Sequence, residues 1–311
     1  MQNLTAHDLI ERLPYAVLTK QLPKLLRGET ISPQRHVHTV SNAGEPDATL
    51  LMMPAWSEGQ EGKKWGGVKV VNVTPGNARR NLPAVTASYL LFDAVTGEHL
   101  ALLDGGELTA RRTAAVAAIA ADRLAMDEAK HLLLVGSGRI ASELAFAYRA
   151  VREIETVQVF SPTAANAEKL VWALKAGGFH AEVCTDLATG AAKAEIIACA
   201  TLSKAPLIRG EWLHAGQHVA LIGGYLKDMR EADDAAMTCA DIWVDSFAAL
   251  SESGDLTQPI DAGLLHHEMI RGTLQTLCAG EAVPGRDSRI TLFKSVGDAA
   301  QDLAAASLAV G

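Results

Sequence analysis

The stretch 131–145, HLLLVGSGRIASELA, constrains this chain more than any other. Leu132, Leu133, Leu134 and Val135 read as a buried strand and run straight into Gly136-Ser137-Gly138-Arg139-Ile140-Ala141, after which a helical pattern begins. Strand, glycine turn and helix in that order raise a weak G-x-G-x-x-G/A match to a usable dinucleotide signature. Gly136 permits the tight turn, Gly138 lets backbone approach a pyrophosphate, and Ala141 is small enough for helix to pack on strand. Phosphates would sit at the helix N-terminus, where free N–H groups and the dipole favour anions. Gly136, Ser137, Gly138, Arg139 and Ile140 are therefore the expected cofactor contacts. The competing reading, a glycine turn in an unrelated βα unit, fits the flanking elements less well.

The chain from residue 131 onward supports a doubly wound sheet. Strand patterns at 132–135, 157–160, 181–184, 196–200, 219–222 and 242–244 alternate with helical ones, the order a Rossmann domain needs. The first hundred residues have no such alternation. Short helices at 8–13 and 15–22 lead into strands at 35–40, 49–54, 67–73, 84–93 and 100–104, punctuated by Gly, Asn and Pro. A long helix over 108–126 joins the two regions, and 290–309 reads as one amphipathic helix returning to the first. The expected architecture is α/β: a Rossmann domain at 113–290, and a discontinuous α+β domain made of 1–112 and 291–311.

NAD-binding domains usually place Asp or Glu at the end of the second strand, to hold the ribose 2′-hydroxyl. Here that strand ends in Ser161-Pro162-Thr163, without an acid. An acid would repel a 2′-phosphate, so its absence tilts the cofactor towards NADP(H). NAD(H) stays open, because no arginine comes directly after the strand. Ser161 and Thr163 are candidate phosphate donors, and Thr201, past the strand at 196–200, joins the cofactor contacts.

With 311 residues, of which 49% are apolar and 21% charged, the chain can bury the cores of about two domains. A net charge of −8 gives no reason to expect nucleic acid or anionic membrane as a partner. Four scattered cysteines form no C-x-x-C pair, so reduced thiols and no metal site are expected. The first residues lack a basic segment leading into an apolar one, and the apolar run 113–121 is too short to span a bilayer. A cytoplasmic protein is expected.

Two cations stand where a core is anticipated. Lys69, in Gly67-Val68-Lys69-Val70-Val71-Asn72-Val73, shares a face with Val71 and Val73 at a period of two. A lysine on an edge strand would reach water, but valines on both faces argue for burial. A buried lysine needs an anionic partner, and a ligand carboxylate is a candidate. Arg112 lies on the same helical side as Val116 and Ile119, whereas Arg111 points towards water or an acid. Arginine at a helix N-terminus opposes the dipole; a bidentate contact to a carboxylate would explain its presence. Met53 and Trp56 are candidate pocket residues, and core packing explains them equally well.

With these blocks in view, the chain resembles the ornithine cyclodeaminase/mu-crystallin family over nearly its whole length. The matching segments are Met53-Pro54-Ala55, Gly67-Val68-Lys69, Leu103-Asp104-Gly105, Leu108 through Ala115, Gly136-Ser137-Gly138, Asp228-Met229-Arg230-Glu231 and Phe293-Lys294-Ser295-Val296-Gly297. Val73 through Asn77 and Tyr89 through Asp93 look like the branch that reduces Δ1-pyrroline-2-carboxylate and Δ1-piperideine-2-carboxylate. The resemblance implies a homodimer whose discontinuous domain binds substrate and forms the interface. It also implies that Lys69, Arg112 and Arg35 bind the substrate carboxylate, with Ser295 near the nicotinamide.

One departure bears on the reaction. Ornithine cyclodeaminases carry a catalytic aspartate directly after the glycine pair that ends the fifth Rossmann strand; here Tyr225 comes after Gly223-Gly224, and the nearest acid is Asp228. Deamination needs a base and an acid at the leaving amine, so the departure favours reduction. Asp228 either adjusts substrate protonation or caps a helix at 229–231. The leading expectation is an NAD(P)H-dependent imine reductase that clamps a carboxylate and yields L-proline or L-pipecolate. Ornithine cyclodeamination, amino-acid dehydrogenation and NADPH-dependent binding of a small ligand without turnover are the alternatives.

Overall fold

The computed structural model describes residues 1–57, 64–280 and 282–311. It divides into two compact units, residues 1–112 with 298–311, and residues 113–297.

The first unit is built on seven strands: β1 (Gln2–Leu4), β2 (Thr30–Ile31), β3 (His36–Val40), β4 (Ala48–Ser57), β5 (Trp65–Val73), β6 (Val85–Asp93) and β7 (His99–Asp104). Their order is β1-β7-β6-β5-β4-β2, with β3 also paired to β4. From β4 to β7 the chain meanders antiparallel, each strand bonding its predecessor. The turn between β6 and β7 is set by local chemistry. Asp93 Oδ1 accepts from the N–H groups of Val95 and Thr96, both at 2.8 Å, and Gly97 takes a φ of 75°.

Side chains alternate across this sheet as the period of two demands. Met53, Lys69, Val71, Tyr89, Leu91 and Leu103 are buried on one face, while Met52, Pro54, Val68, Val70, Leu90 and Leu102 on the other are half-buried or exposed. The helix Ala299–Val310 covers the buried face over β4, β5 and β6, and packs on the helix Tyr15–Leu26. Gly67 is required there: a Cβ would stand 2.2 Å from the Tyr89 hydroxyl.

The second unit carries eight strands: β8 (His131–Val135), β9 (Thr156–Phe160), β10 (His180–Val183), β11 (Ile196–Cys199), β12 (His218–Leu221), β13 (Asp241–Val244), β14 (Ile270–Thr273) and β15 (Thr291–Lys294). They pair in the order β10-β9-β8-β11-β12-β15-β13-β14, parallel throughout. The strands β11, β12 and β15 are buried at every position, as expected for a parallel sheet covered on both faces.

Here the helix expected over 290–309 is corrected. Thr291–Lys294 is strand β15, inserted between β12 and β13, and the helix starts only at Ala299. A four-residue buried run is too short for periodicity to separate strand from helix. Gly297, at a φ of 80°, ends the strand segment, and Asp298 caps the new helix by accepting from Ala300 N at 2.7 Å. The division between units therefore falls after Gly297 and not after residue 290. No helix among the described residues is long and apolar enough to cross a membrane.

Candidate functional site

In the first unit, β5 lies between β4 and β6, so Lys69 is not an edge residue. Its side chain is 3% exposed, and Nζ lies 2.6 Å from Asp302 Oδ2. Arg112, 4% exposed, donates from Nε to Asp302 Oδ1 at 2.7 Å and from Nη1 to Gln301 Oε1 at 2.9 Å. The anionic partner that Lys69 and Arg112 require is thus, in the first instance, a carboxylate of the chain itself. The dipole argument for Arg112 also falls away, because its helix, Gly105–Leu124, starts about two turns earlier. Arg111 does not reach water either. It is buried, donates to Leu13 O at 2.9 Å, stands 3.6 Å from Glu107 and lies 4.6 Å above the Tyr15 ring.

One carboxylate facing two buried cations leaves a unit of positive charge, and a buried charge needs compensation. Burial lowers the Lys69 pKa to about 8; Asp302 opposes the shift, while the positive charges of Arg112 and Arg35 deepen it. Arg35, half-buried just ahead of β3, therefore acts on the same cluster. Burial alone would raise Asp302, but Arg112 and Lys69 outweigh it and hold the carboxyl below its usual range, so it stays ionised. Met53 is buried on β4 directly opposite Lys69, whereas Trp56 is 38% exposed.

The lowered pKa of Lys69 makes stability depend on pH. The unfolded chain keeps Lys69 protonated up to its ordinary pKa of 10.5 and the fold only up to about 8. Between these values the unfolded state binds more protons, so this contribution to stability rises with pH across that window. If Lys69 holds a ligand carboxylate, binding runs the other way: KM for such a substrate is expected to rise as pH passes 8 and Lys69 loses its charge. Initial rates between about pH 6 and 9.5 measure this; a KM flat across that range would separate Lys69 from binding.

In the second unit, Gly136 takes a φ of 118°, and a Cβ there would stand 2.5 Å from Ala200 O. At Gly138 a Cβ would meet nothing within 4 Å, so its face is open. The first bonds of the turn after it run from Ser142 N to Gly138 O at 3.1 Å and from Leu144 N to Ile140 O at 3.3 Å. Upstream N–H groups of such a turn point outward, towards an anion. Ser137 Oγ donates to Ser161 Oγ at 3.0 Å, tying the glycine turn to the end of β9. Thr163 N donates to the same Ser161 oxygen at 3.4 Å. Arg139 pairs with Glu143 one helical turn on. These residues fit a dinucleotide: one glycine demanded by close approach and a positive φ, an open cradle at the next, and hydroxyls without a carboxylate at the second strand end.

Beyond β11 and β12 lies a network that sequence spacing does not reveal. Thr201 donates from N and Oγ1 to Glu231 Oε1 at 2.7 and 2.9 Å, so its hydroxyl is engaged by the fold. Glu231 Oε2 accepts from Gly223 N at 2.8 Å and from Gly224 N at 3.3 Å. Asp255 accepts from Glu231 N at 2.7 Å and pairs with Lys294 Nζ at 2.9 Å, which in turn is 3.9 Å from Glu231. All three charged residues are wholly buried, and burial raises Glu231 against the opposing pull of Lys294. The network fixes two loops at the carboxyl ends of the strands, the edge where sheets of this kind bind ligands.

One further expectation changes. Asp228 is more than half exposed and bonded to Lys204 at 2.7 Å, and residues 229–231 form no helix for it to cap. The next helix in the chain, Asp234–Cys239, is capped by Asp233 through Ala236 N at 2.8 Å. Ser295 is buried at the end of β15 and donates to Asp245 Oδ2 at 2.8 Å, an oxygen that also holds the N–H groups of Val296 and Gly297.

The sequence model of the ornithine cyclodeaminase/mu-crystallin family matches residues 6–310. The Delta(1)-pyrroline-2-carboxylate reductase of Paracoccus denitrificans is 37% identical over 288 residues, which cover 91% of this chain and 89% of that protein. The ketimine reductase mu-crystallin of Mus musculus is 32% identical over 292 residues, covering 94% and 89%. The Delta(1)-pyrroline-2-carboxylate reductase of Thermococcus litoralis, solved with NADH and L-proline, superposes with a TM-score of 0.91 at 30% identity, covering 100% of this chain and 96% of that one.

Proposed function

This chain belongs to the ornithine cyclodeaminase/mu-crystallin family, and from that premise we propose that it reduces cyclic ketimine carboxylates with NAD(P)H. Δ1-Pyrroline-2-carboxylate would give L-proline, and Δ1-piperideine-2-carboxylate would give L-pipecolate. The observation that carries the reading is the buried excess of positive charge at Lys69 and Arg112, with Arg35 acting on it and Asp302 as the shared counter-ion.

A substrate carboxylate completes that charge balance and is held by donors whose positions the fold has already set. Such orientation lowers the barrier by presenting a fixed substrate face. A bound reduced nicotinamide supplies the hydride. The iminium form is the better acceptor, so substrate that arrives protonated needs no strong acid from the protein. The exposed, lysine-bound state of Asp228 and the presence of Tyr225 after Gly223-Gly224 speak against ammonia release. Purified protein, NADPH and either imine at mildly acidic pH should show falling absorbance of reduced cofactor. Ammonia and proline from ornithine, without net cofactor change, would replace this reading with the lyase.

Within that reading NADPH is the preferred cofactor, supported by Ser161 and Thr163 at a strand end without a carboxylate. Ser161→Asp is expected to shift the NADPH to NADH ratio of kcat/KM towards NADH by about tenfold or more, through repulsion of the 2′-phosphate. An unchanged ratio removes Ser161 from the phosphate site. The half-exposed apolar face of the first sheet, with Pro54, Val68, Leu90 and Leu102, would receive a second copy of this chain. Light scattering reports its mass.

A further inference from the structure

Met53, Lys69, Tyr89 and Leu103 stand in one row across β4, β5, β6 and β7 on the buried face. Tyr89 is wholly buried, yet its hydroxyl has no hydrogen-bond partner among the described residues. A buried phenol normally finds one, and leaving it without one destabilises the fold. Phenylalanine would fill the same space without that penalty, so packing does not account for the oxygen.

The surroundings say what it waits for. The ring lies against Gly67, the residue whose missing Cβ gives the hydroxyl its room. Lys69 is its direct cross-strand neighbour. Burial, and then the charge of Asp302, push the phenol pKa well above its usual value, so the group remains a neutral donor. Asp302 does not take that donor: Tyr89 Oη has no partner among the described residues, while the two Asp302 oxygens stand 2.6 and 2.7 Å from Lys69 and Arg112. A protonated ring nitrogen is itself a donor and offers no lone pair. Beside two buried cations that share one carboxylate, the acceptor that fits this donor is an anionic oxygen.

We propose that Tyr89 Oη donates to the substrate carboxylate beside Lys69 and Arg112, as a positioning and specificity residue for ring imino acids. This rests on the carboxylate-clamp reading above. Tyr89→Phe keeps the ring and removes only the oxygen. KM for Δ1-pyrroline-2-carboxylate should rise about tenfold or more, as for a lost hydrogen bond to a charged group, with KM for NADPH unchanged. L-Proline affinity, measured by calorimetry, should fall by a similar factor. The ligand-free protein should at the same time melt about 2–4 °C higher, because an unsatisfied buried group has gone.

A merely structural hydroxyl would not give both a weaker substrate complex and a more stable apoprotein. If the wild type reduces the imine and Tyr89→Phe has the same KM, the role of Tyr89 is overturned and the reductase reading stands. If the wild type binds L-proline without reducing any imine, the reductase reading falls, and the L-proline affinity of the variant still decides Tyr89. Absence of both turnover and L-proline binding in the wild type overturns both. A lower melting temperature in the variant would show that the hydroxyl has a partner in the free protein, and would also overturn it.

Discussion

Asp302→Asn should lower the free energy of unfolding by about 3–5 kcal/mol, the penalty for removing one partner from a buried ion cluster. Asp302 is the counter-ion for both Lys69 and Arg112, and all three are nearly or fully excluded from solvent. An amide of the same shape keeps the packing but leaves two buried cations facing each other. Urea unfolding measures the loss. The control is the double variant Lys69→Met/Asp302→Asn, which removes one of the stranded charges and should recover part of the stability. A loss below about 1 kcal/mol in the single variant would mean that Asp302 is not the main compensating charge.

The second large effect is kinetic. Arg112→Met or Lys69→Ala should each lower kcat/KM for a cyclic ketimine carboxylate by roughly 30- to 1,000-fold, equivalent to about 2–4 kcal/mol of charge-assisted contact. Arg112→Lys should fall between wild type and Arg112→Met, since it restores the charge but not the two-pronged geometry of the guanidinium. Stability moves less than in Asp302→Asn, because the remaining cation keeps its carboxylate. Unchanged kinetics in both Arg112→Met and Lys69→Ala would remove these residues from substrate binding.

The two effects separate what the sequence made legible from what it concealed. The glycine turn at 136–141 could be read because its signature is local: strand, turn and helix are contiguous in the chain. Burial of Lys69 could be read from valines on both faces of one strand. Its partner could not, because Arg112 and Asp302 stand 190 residues apart and only the tertiary fold joins them. A signal was nevertheless present. Asp302 is the one charged residue in the helix Ala299–Val310, and the reasoning that demanded a partner for Lys69 applies equally to it.

Asp255 was harder, since an acid in the first turn of a helix looks like ordinary dipole compensation. Its pairing with Lys294 depends on β15 entering the sheet out of chain order. Thr201 was named as a cofactor contact from its position past a strand and Ser295 from the family resemblance, and both hydroxyls are engaged by carboxylates, Glu231 and Asp245. Position along a strand is legible in sequence; the direction in which a hydroxyl donates is decided by neighbours from other elements.

The late insertion of β15 and the helix after it carries a consequence for biosynthesis. The parallel sheet has a gap between β12 and β13 until residues 291–294 arrive, and the first unit lacks its covering helix and its Asp302 until residues 299–310 do. Neither unit can therefore close before residues 291–310 have been made, although most of both precedes them in the chain. Until then Lys69, on β5, and Arg112, on the helix Gly105–Leu124, lack the carboxylate of Asp302 that balances them.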